Sequence, residues 1–314
     1  MDNYSQLINI LINNEKDTFD NCCHSLSHDE LQSKKSSPLD YWKAGSANDD
    51  VFIEMTQEEM DALAKNDLPY LEIDWPYSAK KTQEEMEEWA IKVKNRADKA
   101  GIVIWSVHLP FGGPYDISQT NDTLRQRAVE LNMNDMILSA KIVAPEKFVI
   151  HPSAEPISNE ERATRIVASK KSLQELAAKA KELNIPLLVE NLPRTCLGNT
   201  STELLEIING IDNTAICFDV NHLLIEPQVT FVKNTKGKIQ NTHMSDYDRK
   251  NERHWLPGEG VIDWTELLSA LVESGYEGPF IYEASKGKKP NIVTIQSLGD
   301  RWKKLKQDYV NMNK

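Results

Sequence analysis

Positive charge is in short supply in this 314-residue chain. It has 36 Lys and Arg against 48 Asp and Glu, which leaves a formal net charge of −12. A surface with this acidic excess repels nucleic-acid phosphates and anionic membranes. We therefore expect a small-molecule partner, and neither a nucleic-acid nor a membrane partner.

Long apolar runs and a leader-like N-terminus are also lacking. No segment approaches the roughly 18 apolar residues that span a bilayer, and the opening Met-Asp-Asn-Tyr is not a basic stretch followed by an apolar one. Cysteine is scarce, and no Cys-x-x-Cys or metal-knuckle spacing occurs among Cys22, Cys23, Cys196 and Cys217. We expect reduced, structural thiols in a cytoplasmic protein.

From residue 50 onward, short apolar runs alternate with long amphipathic stretches, of which residues 160–184 are the clearest helix. Apolar runs of this length are typical of parallel strands that are buried on both faces. We predict eight strands, at Val51–Met55, Tyr70–Asp74, Ile102–His108, Lys147–His151, Pro186–Glu190, Ala215–Asp219, Ile239–His243 and Pro279–Glu283.

Capping patterns mark the starts of the helices between these strands. They are Thr56/Glu59, Thr82/Glu85, Ser158/Glu161 and Thr200/Glu203, with Asp263/Glu266 as a close variant. Eight strand–helix units predict a single-domain (β/α)8 TIM barrel. An open doubly wound sheet is disfavoured because no Gly-x-Gly-x-x-Gly follows an early strand. We assign residues 49–314 to the barrel and residues 1–48, which show no clear period, to an N-terminal extension of unknown role.

Six of the predicted strands end in an acid or a histidine. These residues are His108, His151, Glu190, Asp219, His243 and Glu283. Because barrel enzymes build their sites at the carboxyl ends of the strands, we expect the six side chains to converge. Convergent carboxylates repel one another unless a positive charge compensates, which indicates a divalent metal. The three carboxylates and His243 form a mixed oxygen and nitrogen set that suits Mn²⁺, Mg²⁺, Co²⁺ or Zn²⁺.

The motifs around these strand ends resemble the xylose-isomerase-like barrel superfamily, in particular its sugar phosphate isomerase/epimerase family. They are Val-Glu-Asn (189–191), Phe-Asp-Val-Asn-His (218–222), Thr-His-Met-Ser-Asp (242–246), Leu-Pro-Gly-Glu-Gly-Val-Ile-Asp-Trp (256–264) and Ile-Tyr-Glu-Ala (281–284), in a resemblance that covers about residues 50–310. It implies that Glu190, Asp219, His243 and Glu283 bind one metal ion, most often Mn²⁺. It also implies that Glu190 and Glu283 are an acid/base pair that isomerises or epimerises a sugar through a metal-stabilised enediolate.

Five further residues are predicted to bind the carbohydrate substrate: His108, His151, His222, Arg249 and His254. His222 has the alternative role of supporting Asp219, and Arg249 that of a solvated loop cation. No clear Gly-rich phosphate cradle follows the seventh or eighth strand, so phosphorylation of the sugar stays open at this point. Homo-oligomerisation, common among barrels of this family, stays open too.

Three other functions use the same scaffold. A metal-dependent keto-inositol dehydratase would expel water in place of returning a proton. An apurinic-site endonuclease with several zinc ions would use the additional histidines, but Glu252 stands where an Asp is usual, and the acidic charge opposes DNA binding. A non-catalytic sugar-binding module would lack a metal ligand, and all four are present.

Overall fold

The computed structural model describes residues 37–48, 51 and 54–312, so most of the predicted N-terminal extension lies outside the described residues. In the described part, eight strands alternate with eight helices. The strands are β1 (Ala44–Ala47), β2 (Tyr70–Asp74), β3 (Val103–His108), β4 (Lys147–Ile150), β5 (Leu187–Glu190), β6 (Thr214–Asp219), β7 (Ile239–His243) and β8 (Phe280–Tyr282). The helices are α1 (Gln57–Lys65), α2 (Gln83–Ala100), α3 (Asp122–Ile142), α4 (Asn159–Glu182), α5 (Ser201–Ile208), α6 (Gln228–Asn234), α7 (Trp264–Ser274) and α8 (Ile295–Met312). None of these helices has the length and apolar character that crossing a membrane requires.

The strands form one parallel sheet in the order β7-β6-β5-β4-β3-β2-β1-β8. Its two edges meet where the backbone N–H of Met244 donates to Ile281 at 2.8 Å and that of Glu283 donates to Met244 at 3.2 Å. The predicted (β/α)8 barrel is confirmed. Because all strands run the same way, their carboxyl ends open at one mouth, where barrel enzymes carry their sites.

The predicted first strand is wrong. The described residues of that stretch, Val51, Glu54 and Met55, are not in a strand and precede α1, and Met55 has a positive φ of 44° and a side chain buried in the core. The strand is Ala44-Gly45-Ser46-Ala47, inside the stretch that we assigned to the N-terminal extension. These small residues have low strand propensity, but the packing requires them: a Cβ on Gly45 would lie 2.3 Å from the carbonyl oxygen of Tyr70 on β2.

The predicted caps are present at the helix starts. Thr56 and Thr82 each form the full reciprocal capping box with a Glu three residues later. Ser158, Thr200 and Asp263 each accept a backbone N–H from the first turn of the helix that follows. A cap of this kind contributes about 1 kcal/mol, and it fixes where each strand–helix loop enters its helix.

Alternate residues along each strand face opposite sides of the sheet. One set, which includes Phe148, Phe218 and Phe280, packs in the large core with the helices. The other set faces the barrel axis and starts with a small apolar cluster of Val149, Leu188, Ala215 and Cys217. Two residues further along the same strands come the polar side chains of the mouth, so strand periodicity alone puts the strand-end residues on the axis.

Candidate metal centre and active site

Four strand-end residues bring their ligand atoms together at the mouth. Glu190, Asp219 and His243 close β5, β6 and β7, and Glu283 directly follows β8. One ligand atom from each residue lies within 4.8 Å of those of the other three. Glu190, Asp219 and His243 are at most 1% exposed, whereas Glu283 reaches the open side of the mouth with 27% of its side chain exposed. These are the four residues that were predicted from the sequence as metal ligands.

Two oxygens of this set are buried without a hydrogen-bond partner among the described residues, Asp219 Oδ2 and Glu283 Oε2. They lie 3.8 and 3.2 Å from His243 Nδ1. Burial, together with repulsion from Glu283 and Glu190, raises the pKa of Asp219 well above its usual value. Three carboxylates and one imidazole with unpaired, mutually repelling oxygens fit a divalent cation, because it would supply the missing charge.

A buried carboxylate below the cluster, Glu72 on β2, orients His243. Its Oε1 lies 2.7 Å from His243 Nε2, so Nδ1 is the ring nitrogen that faces the other carboxylates. Metal-ligating histidines usually give their second ring N–H to such a partner, which fixes the tautomer and the ring orientation. Glu72 was not predicted from the sequence; the available signal was a Glu in the middle of the apolar run Tyr-Leu-Glu-Ile-Asp.

Glu72 is itself held by hydrogen bonds from the neighbouring strands. Its Oε2 accepts from Ser106 Oγ at 2.5 Å and from Asn241 Nδ2 at 2.8 Å. The Oδ1 of Asn241 in turn accepts from Trp105 Nε1 at 3.0 Å. Both carboxylate oxygens of Glu72 therefore have partners. Ser106 and Asn241 hold the Glu72 carboxylate in place, and Glu72 in turn orients His243.

Glu190 is surrounded by the histidines that the sequence predicted as substrate contacts. His108 Nε2 and His151 Nε2 lie 3.0 and 3.2 Å from its Oε2, and His222 Nδ1 lies 3.2 Å from its Oε1. Burial alone would raise the pKa of Glu190, but His243 and His151 outweigh it and hold this pKa well below its usual value. Glu190 is therefore ionised at neutral pH, and two histidine nitrogens stand beside one of its oxygens.

The remaining predicted histidine, His254, borders the same cavity as His108, His151 and His222, and this cavity has a volume of about 370 Å³. His254 faces Glu283, with Nδ1 3.0 Å from the Glu283 carbonyl oxygen. Phe111 stacks on His151 with a ring separation of 4.1 Å. The cavity thus has a polar floor and an aromatic wall, a combination that small polyhydroxy compounds can use.

One predicted substrate contact, Arg249, lies away from this cavity. Arg249 is exposed beyond β7, contacts Gln228 on α6 at 3.4 Å, and does not line the cavity. The arginine at the mouth is Arg194, in the loop after β5. It pairs with Glu155 from the loop after β4 and with Glu252 from the loop after β7, so three loops are joined across the opening.

Comparison with known proteins places this geometry in a family. The sequence model of one protein family, the xylose isomerase-like TIM barrel, matches residues 60–304. The chain belongs to this family. The predicted family resemblance is therefore confirmed.

The individual relatives share about a quarter to a third of their residues with this chain over the aligned segments. An uncharacterized protein of Methanocaldococcus jannaschii is 32% identical over 55% of this chain and 61% of its own length. An inosose dehydratase of Lacticaseibacillus casei is 25% identical over 36% of this chain and 45% of its own length. The solved structure of a D-tagatose 3-epimerase-like protein has a TM-score of 0.69 at 24% identity, over 86% of this chain and 97% of that one. Other relatives by sequence are sugar 3-epimerases. The chain thus spans about two fifths to two thirds of the curated relatives' length. The sugar epimerases among these relatives act on small carbohydrates.

Proposed function

We propose that this protein is a divalent-metal-dependent isomerase or epimerase of a small ketose, and that it transfers a proton next to the substrate carbonyl. The observation that supports this most is the cluster of Glu190, Asp219, His243 and Glu283 at the mouth, with two unpaired carboxylate oxygens. The sugar epimerases among the relatives support this reaction class. Mn²⁺ is the proposed ion, with Zn²⁺, Co²⁺ and Mg²⁺ as alternatives.

When bound, the cation would polarise the substrate carbonyl and stabilise the negative charge that develops on its oxygen. Proton movement falls to two side chains of the chain itself. Burial opposes ionisation of Glu283, but His243 and His254 hold its pKa below the usual value, so this carboxylate can accept a proton at neutral pH. Its side chain is 27% exposed toward the cavity, whereas Glu190 is 1% exposed, which makes Glu283 the proposed base.

Glu190 is the proposed partner that returns the proton. Because Glu190 is ionised at neutral pH, the proton that it returns would first pass to it from His108, whose Nε2 lies 3.0 Å from Oε2 and whose pKa is raised to about 9 by the Glu190 carboxylate despite burial. His222 and His254, at the cavity wall, are proposed to orient substrate hydroxyl groups. Return to the original carbon on its other face would give an epimer, and return to the neighbouring carbon would give an isomer.

The test is deuterium incorporation from solvent by metal-stripped protein to which Mn²⁺ is added back, over a panel of ketoses, aldoses and inososes. We expect exchange at a carbon next to the carbonyl, and we expect Glu190→Gln and Glu283→Gln each to slow it about 10²- to 10⁴-fold. Glu175→Gln is the matched control: Glu175 on α4 pairs with Arg125 of α3 and does not border the cavity, so this variant should exchange at the wild-type rate. Full exchange in both Glu variants would exclude them as the acid/base pair.

The inosose dehydratase relative supports a second candidate, a dehydratase that uses the same carboxylates. Both reactions begin by removing a proton next to a carbonyl. They differ in the product, because a dehydratase expels a hydroxyl group as water and an epimerase returns the proton. Mass spectrometry of the inosose reactions separates the two: a product that has lost the mass of water assigns the dehydratase, in keeping with the elimination step.

A further inference from the structure

The cavity over the cluster is lined by acids. Asp74, Glu155, Glu252 and Glu283 all border it, together with Arg194. Arg194 is the one Lys or Arg among the described residues that line this cavity. A substrate that enters therefore meets more acidic side chains than Lys or Arg side chains on the described wall, apart from any cation on the floor.

Arg194 is not free to bind an anion. Its Nε lies 2.9 and 3.0 Å from the two carboxylate oxygens of Glu155, and its Nη1 donates to Glu252 at 2.7 Å. Two carboxylates thus share one guanidinium, and the group of three carries a net negative charge. A phosphate would have to displace a carboxylate from Arg194 and would leave that carboxylate unpaired beside it.

The histidines of the cavity also face carboxylates. His108, His151 and His222 each place a ring nitrogen within 3.2 Å of Glu190. In the loop after β7, Arg253 is paired with Asp248 at 2.7 Å, and in the loop after β8, Lys288 lies over the ring of Trp255 at 5.4 Å; neither residue borders the cavity. None of these histidines and loop residues is therefore an unpaired cation that could bind a phosphate in the cavity.

A glycine-rich loop does follow β7, at Pro257-Gly258-Glu259-Gly260, but it already binds an anion of the protein. The N–H of Gly258 donates to Asp246 Oδ2 at 2.7 Å, and the N–H of Ile262 donates to Oδ1 at 3.3 Å. Trp264 Nε1 adds a third hydrogen bond at 2.9 Å. Backbone N–H groups that converge in this way are what phosphate sites use, and here the buried carboxylate of Asp246 takes that place.

We infer that the substrate of this site is an unphosphorylated polyhydroxy ketone, with hydroxyl groups rather than a phosphate directed toward Arg194, Glu155 and Glu252. This inference rests on the proposed function, and it selects one of the two substrate classes that the sequence left open. A phosphate ester would bring its charge against carboxylates, and no Lys or Arg among the described lining residues is free to pair with it. Like-charge contacts of this kind weaken binding strongly.

The test compares ketohexoses with their own 6-phosphates on the Mn²⁺-loaded protein, by calorimetric binding and by deuterium exchange. We expect each free sugar to bind about 100-fold more tightly than its phosphate. Equal or tighter binding of the phosphates overturns the inference and leaves the proposed function standing. Binding of the free sugars without exchange is evidence against the proposed function alone, and absence of binding by both classes overturns both.

Removing the two acidic partners of Arg194 tests whether they cause the preference for the unphosphorylated sugar. In the double variant Glu155→Gln/Glu252→Gln the guanidinium is released, and we expect the preference for the free sugar to fall at least about 10-fold, since a freed Arg pairs well with phosphate. The matched control is Glu175→Gln, which removes an acid from a comparable pair with Arg125 between α3 and α4. An unchanged preference in a folded double variant contradicts the role assigned to these carboxylates.

Discussion

Replacing Glu72 with Gln should weaken metal binding although Glu72 is not in the proposed ligand set. The substitution keeps the size of the side chain and removes the charge that lies 2.7 Å from His243 Nε2. It also turns one oxygen into an N–H donor, which would face the Nδ2 of Asn241 or the ring of His243. Loss of such an outer carboxylate typically reduces metal affinity about 10- to 100-fold, which corresponds to about 1.4–2.7 kcal/mol.

The assay is competition between the protein and a fluorescent chelator for Mn²⁺, run on wild type, Glu72→Gln and the surface control Glu58→Gln on α1. Urea unfolding of the metal-free proteins separates a loss of affinity from a loss of fold, because the buried position of Glu72 makes some destabilisation unavoidable. A dissociation constant within about twofold of the wild-type value for a folded Glu72→Gln protein would refute the positioning role of Glu72.

Two other substitutions test the fold away from the proposed chemistry. Burial raises the pKa of Asp135 from 3.8 to about 7 despite hydrogen bonds from Ser78 and Trp75, so the folded state holds a proton more tightly than the unfolded state and loses stability as pH rises from about 4 to 7. Asp135→Asn should therefore match wild type in urea unfolding at about pH 4 and exceed it by about 2–4 kcal/mol at about pH 8; an equal difference at both pH values would contradict this. Gly260→Ala should cost about 1–3 kcal/mol, because its Cβ would lie 2.2 Å from Asp246 Oδ1 and from the Tyr247 carbonyl oxygen; an unchanged urea midpoint would show that the loop relaxes.

The cluster of candidate metal ligands could be predicted because two simple regularities act together. Strand residues alternate between the faces of the sheet, and parallel strands in a barrel end at one mouth. A His, Asp or Glu at the end of an apolar run can therefore be placed at the barrel mouth from the sequence alone. Glu190, Asp219 and His243 were found in this way, and Glu283 is one residue beyond its strand.

The features that were missed depend on contacts between distant segments. Strand β1 has no apolar run, since close packing of Gly45 against β2 selects small side chains there. Glu72 is charged and in mid-strand, and its burial makes sense only beside His243, which is five strands later in the chain. The arginine at the mouth is Arg194 instead of Arg249 because the paths of three loops, which no local pattern encodes, bring it between Glu155 and Glu252.

Metal-dependent proton transfer at the mouth of the barrel is tested most directly by solvent deuterium incorporation into an unphosphorylated ketose. The measurement runs in parallel on metal-stripped protein, on the same protein with Mn²⁺ restored, and on restored Glu283→Gln. We predict exchange next to the carbonyl in the restored wild type, and a rate at least about 100-fold lower in the other two samples. Equal exchange by stripped and restored protein would contradict a role for the metal, and equal exchange by Glu283→Gln would contradict the proposed base.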